Sequence, residues 1–270
     1  TIAATLTTAA RAAARKMAVA TTAQKNAALT AAADRIKSDI RRIQTENRKD
    51  LDAESARSLS AAMQDRLTLT DKRIATLVDG LRQVAALPDP VGRLLDETQR
   101  PNGLRIRRVS VPIGVIFMIY ESRPNVTIDA AALTLKSGNA VILRGGKEAI
   151  RTNAALADIM RDALESAGLP ADAVQLTPTV DRAILPILLK SHEAIDLAIP
   201  RGGEGLIRAV VSESTIPVIK HYKGICHIYV DADADIETAA RVIVNAKAQR
   251  PGVCNALETL LVHQDIAARA

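Results

Sequence analysis

The chain has 270 residues, nearly half apolar and about a quarter charged, which reads as a soluble globular protein of one large or two modest domains rather than a disordered one. One Phe, three Tyr and no Trp leave aliphatic side chains and alanine to fill the core, and leave no series of ring platforms for stacking single-stranded nucleic acid. A net charge of +6 suits phosphate-bearing ligands, two cysteines cannot build a disulfide framework and so point to a reducing cytoplasm, and no apolar run reaches the length of a membrane span.

The first 33 residues carry Arg and Lys but no acid, which resembles an organelle transit peptide on the surface. A folded, alanine-rich helix explains the same composition and is the preferred reading, because Ala is the best helix former. The chain lacks an initiator Met and is expected to be processed or trimmed. From Ile2 to about Leu87 the spacing predicts helices, with a Thr21-x-x-Gln24 start and an N-cap at Thr70 or Asp71; Pro88 and Pro90 end the section.

"LRIRRVSVP" then alternates basic and apolar residues after an Asn102-Gly103 turn signal. It reads equally as a protruding ribbon for subunit contact, over about 100–112, or as a charged edge strand. Next come short apolar runs separated by helical segments. Strands are expected at 114–120, 140–145, 174–178 and 195–200, with helices at Val126–Lys136, Glu148–Ala167, Asp181–Lys190 and Glu204–Val211. Such alternation means a parallel sheet of βαβ units, whose ligands sit at the carboxyl ends of the strands. "IPVIKHYKGICHIYVDADAD" predicts two further strands turning at Gly224, followed by a helix from Asp235 to Lys247.

Three places can carry chemistry. "LRGGKEA" sets Arg144 and Lys147 around Gly145 and Gly146 between a strand and a helix, and "IPRGGEGLI" repeats the arrangement with Arg201, Gly202, Gly203 and Glu204. Glycines let backbone approach a ligand, helix N–H groups favour anions, and the cations suit phosphates, so the pair suggests a nucleotide with more than one phosphate. Neither is a G-x-G-x-x-G or Walker sequence. In "YESRPNVT", Asn125 can donate to a developing oxyanion, or simply cap the helix that follows. In "QRPGVCNALET", Cys254 is either a packed thiol or a nucleophile activated by a helix start, backbone amides and Arg250, with Gly252 permitting an unusual backbone angle. Cys226 reads as packing, and the scattered histidines support no metal site.

Taken together, "VPIGVIFMIYESRPNVTIDAAALTLKSGNAVILRGGKEA", "IPRGGEGLI", "IPVIKHYKGICHIYVD" and "QRPGVCNALETLLVH" resemble gamma-glutamyl phosphate reductases of the aldehyde dehydrogenase superfamily. The resemblance implies an α/β, aldehyde dehydrogenase-like fold: N-terminal helices over 1–87, a Rossmann-like parallel sheet completing an NADPH-binding domain over 1–220, and the start of a second α/β catalytic domain over 221–270. It implies NADPH-dependent reduction of L-glutamate 5-phosphate to L-glutamate 5-semialdehyde, with release of phosphate, in proline biosynthesis. Cys254 matches the nucleophile and Asn125 the oxyanion donor. Arg144 to Lys147 fall on the segment holding the adenosine side of NADPH, and Arg201 to Glu204 on the turn near its pyrophosphate.

Oxidative aldehyde dehydrogenases carry a Glu-Leu-Gly-Gly block whose Glu activates water, whereas "HYKG" stands here with His221 in that place. Losing that base and gaining Lys220, His221 and Lys223 fits a substrate pocket that keeps water off a thioester and accepts a phosphate, to which Arg123 of the "ESRPNVT" block is also assigned; a solvated basic turn is the alternative. The resemblance further implies a cytoplasmic homo-oligomer, with no nucleic-acid or membrane partner, and admits glutamate 5-kinase as a channelling partner. Relatives of this kind continue well beyond Ala270, so the catalytic domain is expected to be incomplete. An oxidative aldehyde dehydrogenase and a noncatalytic nucleotide-binding fragment are the competing readings.

Overall fold

A computed structural model describes residues 1–220, 224–251 and 253–269. The chain divides into two compact units, Thr1–Lys220 and His221–Ala270, and each is described by itself.

The first unit opens with six helices: α1 (Ile2–Met17), α2 (Thr22–Ser38), α3 (Ile40–Asp52), the short α4 (Glu54–Arg57) and α5 (Ala61–Leu67), and α6 (Asp71–Ala86). Side-chain oxygens of Thr1, Thr21, Ser60 and Thr70 accept from first-turn amides, and Thr21 with Gln24 forms the expected reciprocal box. Ala10, Ala28, Ala32 and Ala33 are fully buried, so the small side chains lie on the packed faces and let helices approach closely. Lys25 is buried among them and its Nζ lies 2.6 Å from Asp89 Oδ2, just past the helical section. Burial pushes the Asp89 carboxyl up, but hydrogen bonds from Lys25 and Thr22 more than reverse that and hold it below its ordinary value of 3.8.

Two strands, β1 (Leu94–Gln99) and β2 (Arg105–Val109), form an exposed antiparallel ribbon closed at Asn102-Gly103. "LRIRRVSVP" is therefore not an edge strand of the main sheet. Its partner "LLDETQ" escaped the sequence reading because it does not alternate. Glu97 ties the two strands by ion pairs to Arg105 and Arg107.

The sheet follows: β3 (Val115–Tyr120), α7 (Asn125–Lys136), β4 (Ala140–Arg144), a 3-10 turn at Lys147–Ala149 leading into α8 (Ile150–Ser166), β5 (Val174–Leu176), α9 (Ile184–Leu189), β6 (Leu197–Arg201) and α10 (Glu204–Glu213). The four strands run parallel in the order β5-β4-β3-β6. β3 and β4 are buried along nearly their whole length, as a parallel sheet covered on both faces requires. Asp50, at the end of α3, accepts from Thr152 N at 2.8 Å and Thr152 Oγ1 at 2.7 Å, which seats a carboxylate on the first turn of α8. The strand expected in "IPVIK" is reduced to a single bridge, Ala198 with Val218. Pro217 cannot donate to a ladder, which limits that pairing.

Asp196 fastens α1 to the sheet. Its carboxylate accepts from Arg11 Nη1 at 2.8 Å, Arg11 Nη2 at 3.1 Å and Val115 N at 2.7 Å. Gly114 stands beside it with φ +127, where a Cβ would lie 2.0 Å from Asp196 Oδ2. The second unit is one βαβ element, with β7 (Cys226–Val230) parallel to β8 (Leu257–Val262) and α11 (Ile236–Ala248) between them. Asp235 caps α11 through Thr238 N at 2.8 Å. No residue of α11 is buried, and its Val242 and Val244 are exposed.

Two stability predictions arise here. Gly114→Ala should lower unfolding free energy by at least about 1–3 kcal/mol in urea titration, from backbone strain and loss of room for Asp196. Asp89→Asn, which strands the Lys25 ammonium, should cost on the order of 3 kcal/mol near neutrality. Because the folded Asp89 carboxyl titrates low, its contribution is present above pH 3.8 and is lost as pH falls through the lower folded value; the gap between wild type and Asp89→Asn should close in that acid range.

Candidate functional site

The strand pairing brings the two glycine turns together. Ile119 lies opposite Arg144 on one side of β3, and Tyr120 lies opposite Arg201 on the other. β4 and β5 extend the sheet on one side while β6 returns to the other, so the carboxyl end of β3 is the point where strand order reverses. That is where open α/β sheets bind ligands. A cleft of about 810 Å³ opens there, with Leu185 and Leu189 of α9 and Leu206 and Val210 of α10 on its walls, and Arg144, Lys147 and Arg182 among its charged residues.

Both turns are short of space, which explains their glycines. A Cβ on Gly145 would lie 2.2 Å from Asn153 Nδ2; on Gly146, 2.6 Å from Ser122 Oγ; on Gly202, 2.8 Å from Glu121 Cδ. Ser122 is buried and donates to Glu148 Oε2 at 2.6 Å, while Glu121 Oε1 accepts from Gly203 N at 2.8 Å. Two carboxylates thus occupy the very turns whose amides and cations suit phosphate. Neither was singled out in the sequence, although Glu121 directly follows a buried strand, a position that could have marked it. Beneath them, Tyr120 Oη pairs with Thr127 Oγ1 at 2.7 Å, and Thr127 donates to Asn153 Oδ1 at 3.0 Å. Burial pushes the Tyr120 phenol upward, so it stays protonated.

Arg144 has a task beyond the expected one. It is nine-tenths buried, and its Nη atoms donate to Gly145 O at 2.6 Å and to Val180 O at 2.8 Å. It therefore clamps the β5–α9 loop onto the end of β4. Burial and the neighbouring Arg182 charge lower its pKa from the ordinary arginine value. Lys147 is exposed at the rim. Arg201 is exposed at the end of β6, and Glu204, in the first turn of α10, pairs with Arg208 at 2.6 Å.

Asn125 is the first residue of α7, with Pro124 in the cap position, and makes no cap bond; the capping alternative is corrected. Its exposed side chain donates from Nδ2 to Asp129 Oδ2 at 3.0 Å, so the amide nitrogen is oriented by a carboxylate one turn along. Arg123 follows the same turn and is half-buried, and Lys220 is exposed. His221, Lys223 and Gly252 lie outside the described residues.

In the second unit, Cys254 is exposed, in the turn between α11 and β8. A helix start was expected to activate it, but a turn and then strand β8 follow, because "LETLLV" pairs in register with "CHIYV". Helix-dipole activation is thereby corrected. Cys226 is half-buried, and its thiol donates to Cys254 O at 3.6 Å, so its role includes bracing the Cys254 turn as well as packing. Among the described residues no group of three or more His, Cys, Asp or Glu could hold a metal, and no helix is long and apolar enough to cross a membrane.

A model of the aldehyde dehydrogenase family matches residues 2–270. The chain belongs to this family. It is 57% identical over 259 residues to the gamma-glutamyl phosphate reductase of Desulfotalea psychrophila, covering 96% of this chain and 62% of that protein. The crystal structure of gamma-glutamyl phosphate reductase from Thermotoga maritima superposes with a TM-score of 0.92 at 42% identity, covering 100% of this chain and 65% of that one. The corresponding Saccharomyces cerevisiae structure gives a TM-score of 0.75 at 34% identity, covering 98% and 66%. The chain thus spans about three-fifths of the length of the curated relatives it matches. The family's α/β architecture, with N-terminal helices and a parallel sheet, is the one described above.

Gly146→Ala is predicted to crowd Ser122 Oγ and Ser122 N, at 2.6 and 3.1 Å from the new Cβ, and to unseat the Ser122–Glu148 pair. A lower melting temperature is expected, measured by thermal unfolding of the variant beside wild type.

Proposed function

We propose that the chain comprises the NADPH-binding part of a gamma-glutamyl phosphate reductase, with the nucleophile-bearing opening of its catalytic domain over 221–270. Its reaction is the reduction of L-glutamate 5-phosphate to L-glutamate 5-semialdehyde with release of phosphate. Most weight falls on one observation: two glycine turns flank the end of β3, beside a cleft with apolar walls that carries three cations, Arg144, Lys147 and Arg182, and three carboxylates, Glu121, Glu148 and Glu213. A cleft of about 810 Å³ with apolar sides fits a nucleotide. The names of the relatives point the same way.

In the proposed reaction the Cys254 thiolate adds to the acyl carbon of the acyl phosphate. The Asn125 amide donates to the oxyanion so formed, and its bond to Asp129 keeps the nitrogen oriented. The C–O bond to phosphate breaks, leaving an acyl thioester on Cys254 and inorganic phosphate. NADPH, when bound, supplies the hydride for reduction of the thioester carbonyl. Expulsion of the sulfur yields the aldehyde, and a proton restores the thiol. No carboxylate stands in the "HYKG" stretch to activate water, which favours transfer to hydride over hydrolysis.

Cys254→Ala should abolish phosphate-dependent reduction of NADP by L-glutamate 5-semialdehyde while leaving NADPH affinity, read by nicotinamide fluorescence, nearly unchanged. Asn125→Ala should lower kcat about 10²- to 10³-fold with little change in that affinity. Turnover that proceeds without phosphate would identify an oxidative, water-using enzyme instead. Nucleotide binding without turnover in wild type and Cys254→Ala alike would favour a noncatalytic nucleotide-binding piece.

A further inference from the structure

We propose that Cys226 is the resolving partner of Cys254: on exposure to hydrogen peroxide the two close a reversible disulfide within the second unit. The bond holds Cys254 in a form that cannot attack an acyl carbon and that a dithiol can restore. Only the consequence for turnover rests on the reductase reading above; the bond itself does not. These are the only two cysteines of the chain, and both thiols are free. Cys226 Sγ lies 3.6 Å from Cys254 O. Two covalent bonds separate that oxygen from the Cys254 α-carbon, so the Cys226 sulfur stands within about 6 Å of it. Rotation of the exposed Cys254 side chain then brings sulfur toward sulfur. The ladder holds this arrangement. Cys226 opens β7 opposite Leu257, and the register shifts directly after it, before His227 meets Thr259, which sets the first rung apart beside the Cys254 turn. Lys247 Nζ, near the end of α11, donates to Leu257 O at 2.9 Å, and Ala256 N donates to Val253 O at 3.2 Å. The turn that carries Cys254 is thus tied to the same residue that faces Cys226.

Exposure divides the roles. Cys254 is open to solvent and meets the oxidant first, whereas Cys226 is half-buried behind it. As the Cys254 sulfur takes one peroxide oxygen, the S–O bond forms and the O–O bond breaks, giving a sulfenic acid and water. The Cys226 sulfur then attacks the Cys254 sulfur; the S–S bond forms, the S–O bond breaks, and a second water leaves with the Cys226 proton. Two thiols have lost two electrons to one peroxide. A dithiol restores both by exchange and is itself oxidised. A sulfenic acid with no neighbouring thiol meets further peroxide and passes to sulfinic acid, which dithiols do not reduce. Closing the bond gives up only one weak S–H···O contact, at an exposed turn. Where thiols are kept reduced, such a bond is transient, as a sensor requires.

The test treats the whole chain with a small molar excess of hydrogen peroxide under native conditions. Intact mass, thiol labelling after denaturation and peptide mapping without reductant give the readout. Wild type should lose both labelled thiols and the mass of two hydrogens, yield a Cys226–Cys254 linked peptide within one chain, and regain both thiols with dithiothreitol. Cys226→Ser should give no such link, and its Cys254 should pass to sulfinic acid that dithiothreitol does not restore. Should Cys226→Ser melt earlier than wild type before oxidation, the wild-type peptide map decides alone. Sulfinic acid on wild-type Cys254 with Cys226 still labelled, or links only between two chains, would overturn the proposal. A link that forms within the chain without lowering phosphate-dependent reduction of NADP would support the disulfide and remove Cys254 as the nucleophile, so the two readings fail separately.

Discussion

The register of strand β3 with its two neighbours is the constraint on which the site depends. Because β4 and β6 pair with opposite sides of the same strand, Arg144 and Arg201 arrive opposite its consecutive residues Ile119 and Tyr120, and the turns that follow them flank its end. A slip of one residue in either pairing would turn side chains to the other face and separate the turns. That register is protected at the strand's beginning, where Asp196 bonds Val115 N and Arg11 together. The N-terminal helices therefore hold the chemical end of the sheet in place from its opposite end.

Much of this was legible in the chain. Continuous apolar runs such as "AVILR" between amphipathic stretches mark buried parallel strands, and Thr21 with Gln24 marks a helix start through its own hydrogen bonds. The glycine turns were legible as close approaches. What they approach was not, because the crowding atoms belong to Glu121, Ser122 and Asn153, which are distant from at least one of the two turns in sequence. Arg144 illustrates the same limit: a basic residue beside Gly-Gly looks like a ligand-binding cation, and only the fold reveals Val180 O within its reach. Strand β1 was hidden for another reason. An exposed ribbon buries no face, so no alternation is imposed on "LLDETQ".

The second unit was read least well at the point that matters most. Pro-Gly before Cys254 suggested a helix start, but the segment after it is drawn into a parallel ladder with β7, where tertiary pairing overrides local signals. Cys254 is left at the surface of a turn braced by Cys226. The exposed valines of α11 belong to a helix that buries none of its residues within this unit, as a βαβ element covered on one side only would leave it.

Glu121 gives the cleft an internal rival for any incoming anion. Its backbone N–H bonds Arg201 O while its carboxylate caps Gly203, so a single residue clasps the strand end and the helix start together. An anion approaching that amide would meet a carboxylate already tethered in the seat.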